Sequence, residues 1–291
     1  MRYSGWTSAT LALVVCAGLI IGCGGRKTTY TQADAQALTA EQQLLADAEA
    51  AWEQRGDKAQ LEAALAKWEA YLAHDPNNSH VLGMLARGCY LLGNGHSTDE
   101  AASLAAYDRG ASFGERGMAA NDAFRKCVAG GAKDYKCLEH LTADDMLPTY
   151  WVYANVGKWS ATKGFTYIVK NKSKLKAIAD WVHATDPHYF YGAGDRLLGT
   201  YYAKAPAAFG GDMTKSKKHF DQSLAIEPKY LGTKVLMAQY YATKQQDQEL
   251  FRQLLEEVIA ADPNVIPAIT PEQTLDQANA QRLLDKIDDL F

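Results

Sequence analysis

The chain has 291 residues, of which 47% are hydrophobic and 22% are charged, and its formal net charge is −4 at pH 7. This composition is typical of a folded protein that buries a sizeable core in one large domain or two small ones. Nucleic-acid binding needs a clustered cationic surface. The acidic balance and the absence of a lysine and arginine block argue against that function.

The amino-terminal segment has the pattern of an export signal. An apolar run from Leu11 to Gly22 follows Arg2, and the run ends at Cys23. It is too short to span a bilayer comfortably, because a transmembrane helix needs about 20 apolar residues. A small residue precedes the cysteine, as expected at a cleavage site. The last four residues, Ile-Ile-Gly-Cys, resemble a bacterial lipobox, in which a peptidase cuts before the cysteine and lipid is attached to it.

These features predict a lipoprotein signal peptide over residues 1–22 and lipidation at Cys23. Residues 23–32 would then form a polar, lipidated tether. The alternative is an uncleaved membrane anchor. Gly24 follows the cysteine, whereas an aspartate there would have resembled an inner-membrane retention signal. The sequence therefore favours a periplasmic protein that is lipid-anchored to the outer membrane.

The remaining chain, residues 33–291, has a helical pattern nearly everywhere. Alanine, leucine, lysine, glutamate and glutamine dominate it, and long runs of valine, isoleucine and threonine with the alternation of a strand do not occur. We therefore predict an all-α domain over residues 33–291.

Four acidic-proline pairs divide this helical region, and each follows an amphipathic stretch. The residues 12 and 8 positions before each proline lie four apart, which places them on one helix face. The acidic residue could cap the next helix, and proline suits a first helical turn. The pairs are Ala64 and Trp68 before Asp75-Pro76, Leu175 and Ala179 before Asp186-Pro187, Ser216 and Phe220 before Glu227-Pro228, and Phe251 and Leu255 before Asp262-Pro263.

The type and spacing of these residues favour a repeat architecture. A small residue followed by an aromatic one, as in Ser216 and Phe220, is typical of the second helix of a tetratricopeptide hairpin, and the last three prolines are spaced close to its period of about 34 residues. We predict an irregular helical solenoid of cryptic tetratricopeptide-like helix hairpins. The alternative is a plain helical bundle with accidental acidic-proline turns.

Three cysteines lie in the predicted helical domain. Cys127 and Cys137 flank a Gly-Gly turn, and an exported protein meets oxidising conditions, so we predict a disulfide between them. Cys89 lies in an apolar helical stretch and is predicted to be a buried free thiol. Metal binding is the alternative use of the pair, but a second pair of ligands at suitable spacing does not occur.

One literal catalytic motif is present. Residues Gly110–Gly114 match G-x-S-x-G, the nucleophile elbow, which works only on a sharp strand-to-helix turn. The residues before it are alanine-rich and helical, and the histidines do not cluster as ligands. We therefore predict neither an enzyme nor a cofactor or metal site.

Aromatic residues are dense between positions 150 and 202. Leucine and alanine usually fill helical cores, whereas a buried tyrosine hydroxyl needs a partner. Helical solenoids bind ligands on concave surfaces. We predict a ligand channel or groove, with aromatic packing as the alternative. The candidate lining residues are Trp151, Tyr153, Trp159, Tyr201 and Tyr202.

The stretch from Asp186 to Ala242 resembles the signature region of the TRAP transporter T-component family, called TatT. That family shows a helix with Leu-Gly followed by tyrosine, an Ala/Pro segment, a Gly-Gly-Asp loop, and a lysine-rich helix with a phenylalanine. The segments Gly114–Arg116, Trp151–Trp159 and Ile287–Phe291 are also similar to it, whereas the Cys127–Cys137 insertion departs from the family pattern. The matching signature residues are Leu198, Gly199, Tyr202, Pro206, Gly210, Gly211, Asp212 and Phe220.

The resemblance implies a periplasmic lipoprotein that forms a homotrimer, has a channel through each protomer, and docks a TRAP-type solute-binding protein. It suggests a small apolar carboxylate as ligand, membrane contact through the lipid anchor only, and no catalytic residues. The alternative function is a general repeat-protein adaptor of an envelope assembly complex.

Overall fold

The computed structural model describes residues 38–97 and 99–291. The predicted signal peptide, Cys23 and the tether lie outside the described residues, as do residues 33–37 of the predicted helical domain. The described residues form helices and turns without a β-strand, which confirms the all-α class. No helix among them is both long enough and apolar enough to cross a bilayer.

The chain folds into a succession of helices joined by short turns. Two π-helical turns, Leu92–His96 and Met237–Ala242, lie between α-helical segments. The helices are α1 (Ala40–Trp52), α2 (Lys58–Tyr71), α3 (Ser79–Leu91), α4 (Glu100–Ala119), α5 (Asp122–Ala129), α6 (Met146–Lys163), α7 (Phe165–Thr185), α8 (Tyr189–Lys204), α9 (Met213–Ile226), α10 (Leu231–Leu236), α11 (Thr243–Gln245), α12 (Gln248–Ala260), α13 (Thr270–Leu284) and α14 (Ile287–Leu290).

Polar residues before the first turn explain where many helices begin. A side-chain oxygen before the first turn accepts a hydrogen bond from a backbone N–H that has no partner within the helix. At α1 the contact is reciprocal, because Thr39 and Gln42 form a capping box. Asp57, Asn78, Asp99, Asn121, Asp212 and Asp247 cap later helices.

The four acidic-proline pairs lie beyond helix ends, after α2, α7, α9 and α12. Asp262 caps a short 3₁₀ helix in which Pro263 is the first residue. Asp75 does not cap α3, because Asn78 takes that position. Asp186 and Glu227 do not cap α8 and α10 either, because those helices begin after His188 and Tyr230. The residues paired at the −12 and −8 positions are all buried: Ala64, Trp68, Leu175, Ala179, Ser216, Phe220, Phe251 and Leu255.

The buried residues form two hydrophobic clusters. The larger cluster involves α1 to α8 and contains most of the buried aromatic rings. The second cluster involves α9 to α14 and surrounds Phe220 and Phe251, whose side chains are completely buried. Within the first cluster, α6 packs on α3 and α4 as well as on its neighbour α7, so it is central to that part of the fold.

The cysteines and the nucleophile-elbow motif have clear positions. Cys127, in α5, is joined to Cys137 by a disulfide, whereas Cys89 is buried and free. Burial raises the pKa of the Cys89 thiol to about 12, so a reactive thiolate is disfavoured there. Residues Gly110–Gly114 lie within the continuous helix α4, which lacks the strand-to-helix turn that the elbow requires.

A buried ion pair connects the beginning of the described chain to its end. Arg55, just after α1, and Glu272, in the first turn of α13, approach to 2.9 Å. Arg87 also donates a hydrogen bond to the same carboxylate, and Arg55 donates to the carbonyl oxygen of Trp52. These contacts hold α13 against the α1–α3 region.

Candidate functional site

A mostly apolar cavity, which we name the apolar chamber, lies among α6, α7, α8 and the turn that follows α8. The π-helical turn after α10 completes its wall. Its apolar lining residues are Ala154, Ile168, Val169, Leu175, Leu197, Ala205, Pro206, Phe209 and Leu236, and its aromatic hydroxyls belong to Tyr90, Tyr150, Tyr153, Tyr201 and Tyr240. Such a surface can hold an apolar group and offers a few polar contacts.

Two of the five aromatic candidates line this chamber. Tyr153 is buried, and its hydroxyl donates a 2.9 Å hydrogen bond to the carbonyl oxygen of Leu197. Tyr201 lies in the last turn of α8 and is half-buried. These two residues therefore come from facing helices of the chamber wall.

The other three candidates are not among the residues that line the chamber. The buried ring of Trp151 packs on Tyr90 and Tyr150, with centroid distances of 5.3 and 4.8 Å. Trp159 packs edge-on against Tyr167, and Tyr202 stacks on His219 with an interplanar angle of 10°. In these places the aromatic residues pack helices together.

A second and more polar cavity, which we name the polar chamber, adjoins the apolar one. The two share five lining residues: Tyr90, Tyr150, Lys158, Arg196 and Leu236. The polar chamber is bounded further by α10 and α13, which contribute Tyr230, Gly232, Val235, Asp276, Asn279, Arg282 and Leu283, with Asn94, Gln239 and Lys286 completing the wall.

Arg196 holds the boundary between the chambers in place. Its buried guanidinium donates to the carbonyl oxygens of Phe190 and Tyr191, at 3.0 and 3.1 Å, and to the hydroxyl of Tyr150 at 3.2 Å. Phe190, Tyr191 and Gly192 have positive φ angles of 39°, 62° and 74°. Bulky residues rarely adopt this conformation, and here it aims both carbonyl groups at Arg196.

Basic side chains are concentrated around the chambers although the whole chain is acidic. Lys158, Lys172, Arg196 and Lys204 line the apolar chamber, and its lining includes no aspartate or glutamate. Burial lowers the pKa of the Lys204 amine to about 8. An anionic group bound nearby would therefore relieve an unfavourable desolvation of that amine.

The sequence analysis did not single out these basic residues. Lys158 was detectable as the one charge between Trp151 and Trp159 in a largely aromatic and apolar helical stretch. Arg196 carried a similar signal, because it precedes an apolar run within the signature segment. Their convergence on one pair of cavities follows only from the tertiary packing, in which α7 contacts both α6 and α8.

The Gly210-Gly211-Asp212 loop positions one edge of the apolar chamber. Gly210 has φ of 96°, and a side chain on Gly211 would collide with the carbonyl oxygen of Ala205. Asp212 then caps α9 by accepting from the backbone N–H of Lys215, which lowers the pKa of its carboxyl. The loop thereby fixes the position of the preceding turn, in which Phe209 lines the chamber.

Within residues 38–97 and 99–291, no group of three or more His, Cys, Asp or Glu side chains is placed to hold a metal ion. No metal site was predicted from the sequence.

Comparison with known proteins assigns the family. A family model described as TRAP transporter T-component matches residues 57–291. The match begins at Asp57, the cap of α2, and includes every residue that lines either chamber. No curated protein matched the chain. Because the family match covers well over half of its length, the chain belongs to the TRAP transporter T-component family.

Proposed function

We propose that this protein is the lipid-anchored periplasmic accessory component of a TRAP-type transport system. It docks a solute-binding protein and provides a passage or groove for that protein's ligand. Membership of the T-component family supports the association with a TRAP system. The observation that carries the passage is the pair of adjoining chambers with five lining residues in common.

The lining supports a small apolar carboxylate as ligand. Aliphatic and aromatic side chains of the apolar chamber would bury the hydrocarbon part, and burial of apolar surface contributes about 25 cal/mol per Å². The basic residues around the chambers, including Lys158 and Lys204, favour an anion over a cation. Neutral apolar molecules would gain the free energy of apolar burial but not the attraction to these basic side chains.

We infer the finer architecture from the same elements. The buried residues at matching positions before each acidic-proline pair support cryptic tetratricopeptide-like hairpins arranged as an irregular solenoid. We also propose a homotrimer, which rests on the family resemblance alone and is tested by native mass spectrometry of the processed protein. A monomeric mass under native conditions would contradict it.

Filling the apolar chamber should abolish ligand binding. Gly157 lines the chamber, and a Cβ there would meet only the Tyr153 ring, at 3.8 Å. Gly157→Leu should therefore fold, because leucine also suits a helix better than glycine, but its side chain should occupy the ligand's space. Isothermal titration with octanoate is expected to show strong binding loss in Gly157→Leu and weakening of about fivefold or more in Tyr201→Ala.

Two variants serve as controls for this titration. Gly157→Ala adds a single methyl group in available space, and Trp159→Ala removes a ring that does not line the chamber. Both should keep octanoate binding, with circular dichroism confirming the fold of all four variants. Unchanged binding in folded Gly157→Leu and Tyr201→Ala would contradict the passage.

Anchoring and docking are tested together in native cells. The wild-type protein should carry a fatty-acid label, sediment with membranes, and cross-link to a TRAP-type solute-binding protein. Cys23→Ser should remain unprocessed and unlabelled. Labelling of Cys23→Ser would refute the lipidation site, and recovery of the wild type without a solute-binding protein would refute the docking role.

A further inference from the structure

Among the described residues that line the polar chamber, a single carboxylate lies with several basic side chains. Asp276, in α13, faces Lys158 from α6 and Arg196 from α8. Two further basic residues of the chamber wall, Arg282 and Lys286, follow Asp276 in the chain. Glu272, one turn earlier in α13, is engaged by Arg55 and Arg87. The other titratable groups of the chamber wall are the hydroxyls of Tyr90, Tyr150 and Tyr230, and no charged residue of α12 lines it.

The carboxylate of Asp276 is confined by close packing. A Cβ atom on Gly232 would lie 2.9 Å from its Oδ2 atom, so the backbone of α10 bounds the space around the carboxylate. No donor within residues 38–97 and 99–291 makes a hydrogen bond to the carboxylate, although Asp276 is only half-buried as a residue. Burial raises the pKa of this carboxyl to about 7, while Lys158 and Arg196 act in the opposite direction.

The two cations that face Asp276 are not equivalent. Arg196 is committed to Tyr150 and to two backbone carbonyl groups. The Lys158 amine forms no ion pair of 4 Å or less with a carboxylate in the described part of the chain, and it lines both chambers. In contrast, the Lys172 and Lys204 amines of the apolar chamber lie over aromatic rings, at 4.1 and 4.6 Å from the centroids of Phe209 and Tyr240.

We propose that the polar chamber is the subsite for the ligand's anionic head, held by Lys158 beside Arg196, and that ionised Asp276 competes with that head. The inference rests on the proposed function, because it requires the chambers to accept an amphipathic acid. Amide groups of Asn94, Gln239 and Asn279 line the same space and can donate to the remaining lone pairs of a carboxylate. The hydrocarbon part then extends past Tyr150 and Leu236 into the apolar chamber.

The direction of the pH dependence follows from the competition. When the pH falls through about 7, Asp276 takes up a proton, loses its charge and leaves Lys158 and Arg196 to the ligand. If only protein with protonated Asp276 binds the ligand, the fraction of protein in that form rises about tenfold from about pH 8 to about pH 6. The apparent affinity for the ligand rises by the same factor. Lys204 also gains charge over the upper part of this range, so it needs its own control.

The test is isothermal titration of the full processed protein with octanoate at about pH 6 and about pH 8, between which octanoate stays ionised. The wild type should bind about tenfold more tightly at the lower pH. Asp276→Asn should bind at both values with the affinity that the wild type reaches only at about pH 6. Lys158→Met should lose about tenfold or more at both values.

Matched controls separate the subsite from general charge effects. Asp285→Asn makes the same change at the exposed end of α13. Lys204→Met removes an amine that lines only the apolar chamber. Both variants should keep the tenfold change in octanoate affinity between the two pH values. If Lys204→Met abolishes binding and Lys158→Met does not, the head lies in the apolar chamber and the proposal is wrong. Unchanged pH dependence in Asp276→Asn also overturns it, while the passage itself stands.

Thermal unfolding gives a readout that needs no ligand. A carboxyl whose pKa is raised by folding contributes stability below its unfolded pKa, and that contribution is lost as the pH rises through the folded value of about 7. Asp276→Asn should therefore raise the melting temperature more at about pH 8 than at about pH 5, because the cost of the raised pKa to the wild type grows from the unfolded pKa up to the folded value of about 7. An equal difference in melting temperature between Asp276→Asn and the wild type at the two pH values would overturn the argument that folding raises the pKa of Asp276. Absence of octanoate binding by the wild type at either pH would overturn both the passage and the subsite.

Discussion

Replacement of Glu272 by alanine is expected to destabilise the protein by about 3–5 kcal/mol. The side chains of Arg55 and Glu272 are only 3% and 7% exposed. Removal of the carboxylate leaves the buried Arg55 guanidinium without a counter-charge, and it also removes the partner of Arg87. The cost of an uncompensated buried charge exceeds the net contribution of the intact pair, and this asymmetry makes the expected effect large.

The measurement is the free energy of unfolding from urea titration, with an unchanged m-value as evidence that the unfolding transition is comparable. Glu62→Ala is the matched control, because its partner Lys58 lies 3.8 Å away and both side chains are more than half exposed. An exposed pair of this kind contributes about 0.3–0.5 kcal/mol. If Glu272→Ala and Glu62→Ala lower the free energy of unfolding by similar amounts, the buried ion pair does not hold α13 in place.

Replacement of Phe220 by alanine is also expected to cost about 3–5 kcal/mol. Its side chain is completely buried between α8 and the second hydrophobic cluster. The ring lies directly on Gly199, where a Cβ atom would approach to 2.9 Å. Because the backbone of α8 is this close on one side, the helices have little freedom to collapse into the cavity, so the cost of the cavity remains.

Phe165→Ala provides the comparison for Phe220→Ala. Phe165 is the first residue of α7 and is 60% exposed, so its removal should change the free energy of unfolding by less than about 0.5 kcal/mol. Both variants are measured by urea unfolding. A loss below about 1 kcal/mol in Phe220→Ala would indicate that the interface between α8 and α9 repacks.

The helical class and the four acidic-proline turns were predictable because their determinants are local. Caps such as Asp57 and Asn78 act within one turn, and acidic-proline pairs such as Asp186-Pro187 disfavour continuation of the helix before them. The residue pairs before each proline were identified from spacing alone, since a separation of four always places two residues on one helix face. The family resemblance was also readable, because its signature residues are close together in the chain.

The aromatic candidates show where local reasoning fails. Tyr153 and Trp151 lie two positions apart in α6, and both are buried. Only Tyr153 lines the apolar chamber, while Trp151 packs against Phe190 and Tyr90. The rotation of α6 relative to α7 and α8 decides between these environments, and that rotation depends on the packing of all three helices.

By itself, the sequence determined the all-α class, the four acidic-proline turns that follow helices and the membership of the T-component family. Tertiary structure alone decided the composition of the two chambers. Lys158, Arg196 and Asp276 belong to α6, α8 and α13, so no short-range pattern relates them. Their desolvation, and therefore the raised pKa of Asp276, arises only when distant helices enclose them. The same holds for Arg55 and Glu272, whose ion pair forms because folding brings α13 back to the beginning of the described chain.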